Sequence, residues 1–322
     1  TQAGLGKKGF ADGAGPQAKF VFPSGVAVDQ GGNIFVADCG NHKIRKITLG
    51  GVVSTLAGSG KAGFADGTGS EAIFSHPNGI AIDEMGNIYI AEFSGNRIRK
   101  ISPEGVVTTL AGSGKAGFAD GTGVEATFNT LEGIAVDSKG GIYVTDSKNH
   151  KIRKITQDGV VTTIAGSGNA GSADGAGAAA SFNSPNGVAV DSGSNIYVCD
   201  TANHKIRKIR PNGDVTTIAG TGKAGVEDGN SSVASFNRPL GIAVDGMGNI
   251  YVAEEKNHKI RKITPNGFVS TLAGSGKAGA EDGYGTTASF NLPFGVTVDQ
   301  FGTVYVSDAD NNKIRKIYQS GY

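Results

Sequence analysis

The chain has 322 residues, and its 30 basic and 29 acidic side chains leave a formal net charge of +1. This balance excludes a global electrostatic field that would attract nucleic acid or an anionic membrane surface. The longest apolar runs are only strand-sized, so the sequence predicts no insertion into a membrane.

One short phrase organises the rest of the chain. Its template is residues 77–83, Pro-Asn-Gly-Ile-Ala-Ile-Asp, and close variants of it occur six times. The glycine of this phrase recurs every 54 residues, at Gly25, Gly79, Gly133, Gly187, Gly241 and Gly295. A period of this size indicates units that cannot bury their own apolar faces and that stack on their neighbours. We therefore predict a single repeat domain over residues 1–322.

The second copy shows the predicted elements of one repeat in chain order. Four β-rich runs, separated by short turns that contain glycine, span residues 79–83, 87–92, 97–101 and 106–111. No segment shows sustained helical periodicity. Six four-stranded antiparallel units in series are typical of the blades of a propeller. The sequence thus predicts an all-β six-bladed β-propeller whose blades are packed on both faces.

The turn after the second strand carries a recurring motif. The letters Asn-His-Lys-Ile stand at residues 41–44, 149–152, 203–206 and 257–260. These motifs resemble the NHL repeat, and the resemblance covers the whole chain. It implies a six-bladed propeller of four-stranded antiparallel blades, and it favours an extracellular or cell-surface location. Two copies depart from the motif, because Asn96 and Asn312 stand where it has histidine.

The two ends of the chain predict how the ring closes. Residues 1–4 align with residues 55–58, the end of a fourth strand, and residues 318–322 align with residues 48–52, just before that strand. We therefore expect the N-terminal and C-terminal segments to pair in one blade, with the N-terminal residues completing its outer strand.

The candidate binding face is the end of the propeller that carries the long inter-blade loops, such as residues 112–123, and the Asn-His-Lys turns. We call this end the top face. Three of its loops present an aromatic residue, Phe10, Phe64 and Phe118, where the other three have Ser172, Val226 and Ala280. Exposed aromatic rings can anchor a protein or stack on a sugar.

Several repeated polar residues are interpreted as structural. The aspartates of the loops are expected to cap the backbone of their own loop, with Ca²⁺ binding as the alternative; they are Asp12, Asp66, Asp120, Asp174, Asp228 and Asp282. The basic third strands could suggest RNA, but each follows an acid that can pair with its arginine across the strands. The motif histidines are expected to form hydrogen bonds in their turns, and His76 is expected to have no other histidine nearby.

The copies also differ at the residue just before each repeated glycine, at the expected mouth of the central channel. These residues are Ser24, Asn78, Glu132, Asn186, Leu240 and Phe294. The arrangement resembles the oxygen-ligand metal site of the gluconolactonase-type six-bladed propellers. The resemblance implies Asn78, Glu132 and Asn186 as ligands of a divalent ion such as Ca²⁺, with Leu240 and Phe294 as an apolar wall. The aspartate that this family adds as ligand and base is absent from the ring.

The sequence favours a non-enzymatic, monomeric binding or scaffold module that recognises a protein or a glycan. The candidate ligand-binding residues are Phe10, Phe64, Phe118, Ser24, Leu240 and Phe294. No firm cofactor is predicted, and nucleic acid is not the expected partner. Three alternatives stay open: a metal-dependent lactonase-like hydrolase at the channel mouth, an RNA-binding NHL domain, and an amplified or designed array without a specific ligand.

Overall fold

The computed structural model describes residues 1–319, so the predicted C-terminal segment is seen except for residues 320–322, which lie outside the described part. Six antiparallel sheets form the blades of an all-β propeller, as predicted. Within residues 1–319, no helix is long and apolar enough to cross a membrane.

Five blades contain four main strands, counted outward from the central channel, and the sixth contains three. The first strands are β2 (Pro23–Val28), β7 (Pro77–Ile82), β12 (Leu131–Val136), β17 (Pro185–Val190), β22 (Pro239–Val244) and β26 (Pro293–Val298). The second strands are β3 (Ile34–Asp38), β8 (Ile88–Glu92), β13 (Ile142–Asp146), β18 (Ile196–Asp200), β23 (Ile250–Glu254) and β27 (Val304–Asp308). The third strands are β4 (Lys43–Ile47), β9 (Ile98–Ile101), β14 (Lys151–Ile155), β19 (Lys205–Ile209), β24 (Lys259–Ile263) and β28 (Lys313–Ile317). The fourth strands are β5 (Val52–Ala57), β10 (Val106–Ala111), β15 (Val160–Ala165), β20 (Asp214–Ala219) and β25 (Phe268–Ala273).

A short fifth strand, which the sequence did not predict, lies on the outer edge of five blades. These strands are β1 (Gly13–Ala14), β6 (Gly67–Thr68), β11 (Gly121–Thr122), β16 (Gly175–Ala176) and β21 (Gly229–Asn230). In blade 2, for example, Gly67 pairs with Val107 of the fourth strand. In these five blades the inter-blade loop therefore first binds the outer edge of the blade it enters and then runs inward to the first strand.

Short 3-10 turns complete the blades. Some follow the edge strands or precede the first strand, and others lie between the second and third strands; they are Gly15–Gln17, Cys39–Asn41, Gly69–Glu71, Gly123–Glu125, Ser147–Asn149, Gly177–Ala179, Thr201–Asn203, Gly285–Thr287 and Ala309–Asn311.

The hydrophobic core lies between the blades. At the junction of blades 1 and 2, Phe35 and Ile44 of one blade pack with Phe74 and Ile90 of the next, and all four are buried. A comparable cluster fills each of the other junctions. Each blade is thus covered on both faces, which explains why its second strand is buried throughout rather than alternating between buried and exposed residues.

The repeated glycines let the first strands meet around the channel. A Cβ atom on Gly79 would collide with the backbone oxygen of Glu132 in the next blade, and one on Gly133 with that of Asn186. The same contact occurs at Gly295, where an added Cβ atom would collide with the backbone oxygen of Ser24, so blade 6 meets blade 1 in the same way. Any side chain at these positions would push two blades apart.

The N-terminal residues close the ring, as the sequence predicted. The backbone nitrogens of Gln2 and Ala3 donate to the oxygen of Ile314 at 2.7 and 3.1 Å, and the nitrogen of Ile314 donates to the oxygen of Ala3 at 2.8 Å. Ala3 is fully buried. Residues 2 and 3 therefore occupy the place of a fourth strand beside β28 in blade 6.

One hydrogen bond joins each blade to the next at the top face. A motif histidine, or the asparagine that replaces it, adopts a left-handed conformation and accepts from a backbone nitrogen of the next blade. The donor and acceptor pairs are His76–His42 (3.2 Å), Thr130–Asn96 (2.8 Å), Ser184–His150 (3.1 Å), Arg238–His204 (3.1 Å), Leu292–His258 (3.2 Å) and Phe22–Asn312 (3.0 Å). We call these six bonds the blade clasps.

The clasps confirm that the motif histidines are hydrogen-bonding groups, but their partners lie in the next blade rather than in their own turns. The clasps also correct the prediction for His76. The ring of His76 lies against that of His42, with 4.5 Å between centroids and an angle of 82° between planes. The two residues are 34 positions apart, and the clasp between blades brings them together.

The arginine of each third strand binds two acids. In blade 3, Arg153 donates to Asp146 at 2.6 Å and to Asp120 at 2.7 Å, and its side chain is fully buried. Asp120 also accepts from the backbone nitrogen of Thr163 at 3.1 Å. The predicted pairing with the second-strand acid is confirmed. The prediction that the loop aspartates cap their own loops is wrong, because these residues fasten the loop to the third and fourth strands of the blade.

Candidate functional site

The top face carries two groups of candidate residues at different distances from the axis. Phe10, Phe64 and Phe118 lie on the inter-blade loops, beside the third strands, and we call them the aromatic arc. The residues before the repeated glycines belong to the first strands and were predicted to surround the channel mouth. Since neighbouring strands lie about 4.8 Å apart, roughly 10 Å of sheet separates the two groups. The structure therefore does not bring the predicted ligand-binding residues into one site.

The rings of the aromatic arc are exposed on three successive blades. Phe10 and Phe64 are each 49% exposed, and Phe118 is 67% exposed. A cation from the start of the third strand, or from the residue just before it, lies over each ring. The pairs are Lys43 and Phe10, Arg97 and Phe64, and Lys151 and Phe118, with distances from the cation to the ring centroid of 4.6, 3.9 and 5.3 Å. Each ring thus presents an apolar edge beside a positive charge.

The loops that enter blades 5 and 6 each carry an acid at a position where the other blades have none, although exposed lysines occur on both sides of the top face. Exposed lysines on the arc loops are Lys7, Lys8, Lys61 and Lys115. Glu227 and Glu281, both exposed, stand in blades 5 and 6 where the first four blades have alanine. The two sides of the top face therefore differ in the positions of their acids as well as in aromatic content.

The central channel opens between the first strands and has a volume of about 220 Å³. Small and apolar residues of these strands, such as Ala81 and Val136, form its wall. Four of the six predicted mouth residues line it: Asn78, Glu132, Asn186 and Phe294. The other two are buried away from it. Ser24 is fully buried and donates to the backbone oxygen of Asn78 at 3.0 Å, and Leu240 is 3% exposed.

Glu132 is held between two amides. The Nδ2 atom of Asn78 donates to Oε2 of Glu132 at 2.5 Å. Burial raises the pKa of Glu132 to about 7, although hydrogen bonds from Asn78 and Asn186 and the charge of Arg238 lower it. A carboxyl group of this kind is charged just above neutral pH and is sensitive to any charge that enters the mouth.

The predicted metal ligands are thus neighbours, but their arrangement does not fit a divalent ion well. Asn78 turns its nitrogen, not its oxygen, toward Glu132. Three side chains also supply few of the six to eight oxygens that Ca²⁺ prefers. Residues 1–319 contain no cluster of three or more histidine, cysteine, aspartate or glutamate residues that could hold a metal. The metal site stays a prediction.

Two features of the top face, next to the first strands, were missed in the sequence. Arg238 donates through Nε to Glu255 at 2.6 Å, and Lys256 lies 2.9 Å from the same carboxylate. On another side, the rings of Phe22 and Phe294 meet edge to face with centroids 5.9 Å apart. Phe22 and Arg238 occupy equivalent positions two residues before the ring that was predicted. The six repeats carry different residues at this position as well, so a comparison of the repeats could have identified Phe22 and Arg238 from the sequence.

Comparison with known proteins places this geometry in a family. The NHL repeat matches residues 20–47, 74–101, 128–155, 182–209 and 236–263. The chain is 31% identical over 342 residues to NHL repeat-containing protein 2 of Gallus gallus, which covers 93% of this chain and 47% of the relative. It is 33% identical over 281 residues to Protein SUPPRESSOR OF QUENCHING 1, chloroplastic, of Arabidopsis thaliana, which covers 81% of this chain and 26% of that protein. The chain thus spans about half or less of the length of these relatives.

A solved structure shares the fold. An auxiliary nutrient binding protein from Bacteroides thetaiotaomicron superposes with a TM-score of 0.72 at 17% identity, over 96% of this chain and 72% of that one. The repeats, the six-bladed ring and these matches agree, and the chain belongs to the family of NHL-repeat β-propellers.

Proposed function

We propose that this chain is a non-enzymatic binding module that recognises a protein ligand through the aromatic arc of its top face. The observation that carries the proposal is the repetition of a half-exposed phenylalanine, paired with a cation, on three successive blades. NHL propellers mediate binding, which is consistent with this role.

The chemistry of the arc suits an acidic segment of a protein. A half-exposed phenylalanine offers apolar surface to a partner. Burying that surface contributes about 25 cal/mol of binding free energy per Å². The cation beside it is already positioned. Arg97, for example, donates to the backbone oxygens of Ser113 at 3.1 Å and of Gly95 at 3.3 Å. A partner carboxylate can therefore pair with a fixed guanidinium while an apolar neighbour covers Phe64.

The proposal is tested by selecting displayed peptides on the wild-type protein and measuring their affinity for a variant of the arc. The variant replaces Phe10, Phe64 and Phe118 by serine, the residue that blade 4 has at the same position as Ser172. We expect at least a tenfold loss of affinity, about 1.4 kcal/mol. The affinity should also fall with added salt, because exposed charges contribute.

A matched control removes apolar side chains from the opposite end of the propeller. Leu49 and Met85 are 71% and 81% exposed and lie in turns at that end. Replacing both by serine should leave the affinity unchanged. Peptides that bind the arc variant as tightly as the wild type would refute the proposal. If a glycan array yields ligands and the peptide library yields none, the ligand class in the proposal changes from protein to glycan.

A metal-dependent hydrolase at the channel mouth is the second candidate, because Glu132 has a pKa of about 7, which suits a base near neutral pH. A site that binds Ca²⁺, Mn²⁺ or Zn²⁺ would raise the free energy of unfolding by about 2.7 kcal/mol at a hundredfold excess of the metal over Kd. The melting temperature would rise accordingly. The rise would have to disappear in Glu132→Ala for this candidate to be retained.

A further inference from the structure

We propose that the cleft between blades 3 and 4, at the end of the propeller opposite the top face, binds a small organic phosphate monoester. The cleft has a volume of about 620 Å³, and the residues that line it come from turns and strands of both blades. It shares no lining residue with the central channel. The site also lies apart from the aromatic arc, so it does not depend on the function proposed above.

Three cations and one acid line this cleft. The cations are Lys139 in the turn after β12, Lys154 on β14 and Arg210 in the turn after β19. Within residues 1–319, none of them forms an ion pair. The acid, Asp137, accepts from the hydroxyl of Tyr143 at 2.8 Å and from two backbone nitrogens of its own turn. Three positive charges against one negative charge leave the lining with two net positive charges.

Two of these cations distinguish the cleft from the rest of the ring. At the position of Lys139 the other repeats have uncharged residues, which are Gly31, Met85, Gly193, Met247 and Phe301. At the position of Arg210, four of the other five repeats have a hydroxyl residue that accepts from the backbone nitrogen four positions later. These residues are Thr48, Ser102, Thr156 and Thr264. Arg210 gives up this hydrogen bond of the turn and places a guanidinium at the cleft.

The third cation, Lys154, recurs in every repeat and shows what the cleft lacks. In blade 2 the equivalent Lys100 lies 3.4 Å from Oε1 of Gln157, which blade 3 contributes to the junction. The residue of blade 4 equivalent to Gln157 is Pro211, which has no side-chain oxygen. Lys154 lies over the ring of Tyr143, 5.6 Å from its centroid, and its ammonium group forms no hydrogen bond within residues 1–319. An oxygen of a bound phosphate would take the place of the glutamine oxygen.

A strained serine also lines the cleft. Ser194 adopts a φ of 60°, a left-handed conformation that a serine side chain disfavours. The other five repeats have glycine at this position, which are Gly32, Gly86, Gly140, Gly248 and Gly302. Backbone strain of this kind clusters at ligand sites. The exchange of glycine for serine adds a hydroxyl group to the cleft that can donate to an anion.

The charge and the walls of the cleft suit a phosphate monoester. Such a group carries a charge of about −1.5 to −2 at pH 7, which balances the two net positive charges of the lining. Its oxygens can accept from a guanidinium and from ammonium groups at the same time. Ile164, Ile196 and Pro211 add an apolar side to the cleft, against which the organic group can pack. The single sign of the net charge also attracts the anion from solution.

The equivalent cleft between blades 1 and 2 has the opposite charge and serves as a reference. Its volume is about 350 Å³, and its one cation is Lys46, which corresponds to Lys154. The acids that line it are Asp29, Asp83 and Glu84. One positive charge against three negative charges leaves two net negative charges. Two clefts of the same architecture therefore differ in the sign of their charge, and an anion should bind only the one between blades 3 and 4.

The experiment compares three anions by calorimetry at pH 8. Phenyl phosphate carries about two charges on one group, benzenesulfonate has a similar shape and one charge, and succinate has its two charges on separate carboxylates. We expect phenyl phosphate to bind at least tenfold more tightly than either of the others. Lys154→Gln and Arg210→Ser should each weaken its binding at least tenfold. Ser194→Gly should weaken it at least threefold and, because the strain is relieved, raise the urea midpoint.

Two controls separate this site from general electrostatic attraction and from the aromatic arc. Lys46→Gln removes the same lysine from the acidic cleft and should leave the affinity for phenyl phosphate unchanged. The serine variant of the aromatic arc should bind phenyl phosphate like the wild type, so a failure of either proposal leaves the other intact. The proposal would be overturned by equal affinity for the three anions, by tighter binding of succinate, by no binding of phenyl phosphate at millimolar concentration, or by equal losses in Lys46→Gln and Lys154→Gln.

Discussion

The blade clasps show how single residues set the stability of the ring. Four clasps use histidine and two use asparagine, and both side chains accept the same backbone donor. The acceptor residue is left-handed in every case, with φ of 55° at His204 and 47° at Asn96. Asparagine tolerates this conformation well among non-glycine residues. The two kinds of clasp are therefore interchangeable in shape, but only the histidine can take up a proton.

His204 offers the sharpest test at this scale. His204→Asn should keep the clasp to Arg238 and unfold at nearly the wild-type urea midpoint at pH 7.5. His204→Ala should lose about 2 kcal/mol, because the nitrogen of Arg238 loses its acceptor and alanine disfavours the left-handed conformation. Equal losses in the two variants would show that the hydrogen bond does not matter.

The same residue predicts a dependence on pH. Burial, and then the charge of Arg238, lower the pKa of His204 below its usual value. The folded state thus prefers the neutral ring, and this contribution is complete above the unfolded pKa of about 6.5. It is lost as the pH falls from there through the folded pKa. We expect His204→Asn to lose less stability than the wild type between pH 7.5 and pH 5, measured by urea unfolding.

At the scale of elements, the buried arginines fasten each loop to its blade. Arg153 is fully buried, as is the Asp146 side chain, whereas Asp120 is 48% exposed. Asp146→Asn should therefore cost about 3 kcal/mol, because it leaves a buried charge half paired. Asp120→Asn should cost about 1 kcal/mol, because solvent screens its ion pair. Urea unfolding of the two variants tests the order, and a larger loss for Asp120→Asn would contradict the assignment.

Local patterns in the sequence predicted the main strands closely. The predicted run 106–111 coincides with β10, and the run 87–92 differs from β8 by one residue. The edge strand β6 could not be foreseen, because Gly67 and Thr68 have no apolar pattern and their partners lie almost 40 residues away. The role of Asp120 was missed for the same reason. Its partners are 33 and 43 positions distant and are found only once the blade has formed.

The repeat period also located the channel mouth but not its chemistry. Residues spaced by one repeat lie at the same distance from the axis. The 54-residue period therefore predicted that Asn78 and Glu132 are neighbours in adjacent blades. Counting cannot tell which side chain turns inward, and Ser24 turned out to be buried against the backbone of the next blade. Arg238 was missed because the acid that it pairs with, Glu255, lies 17 positions away in another turn.

At the scale of the whole molecule, residues 2 and 3 are the sole part of the described chain that fills the outer place of blade 6 beside β28. Removing residues 1–4 should lower the melting temperature by at least about 5 °C, because four backbone hydrogen bonds, the ion pair between Thr1 and Asp282 and a buried alanine are lost. Leu5→Ala, at a residue that is 46% exposed, is the control and should leave the melting temperature nearly unchanged. An unaltered melting temperature after the deletion would mean that the blade does not need this strand.

A ring of six near-identical blades would let a partner dock in six rotated poses of equal energy. The aromatic arc occupies three consecutive blades and the additional acids Glu227 and Glu281 stand in blades 5 and 6, so rotation by one blade no longer maps the face onto itself. A partner that contacts both the aromatic arc and the acids of blades 5 and 6 therefore binds in one pose. Choosing one pose among six corresponds to about 1 kcal/mol at room temperature. The loops of this propeller thus break the rotational symmetry of the scaffold and define one orientation for a bound partner.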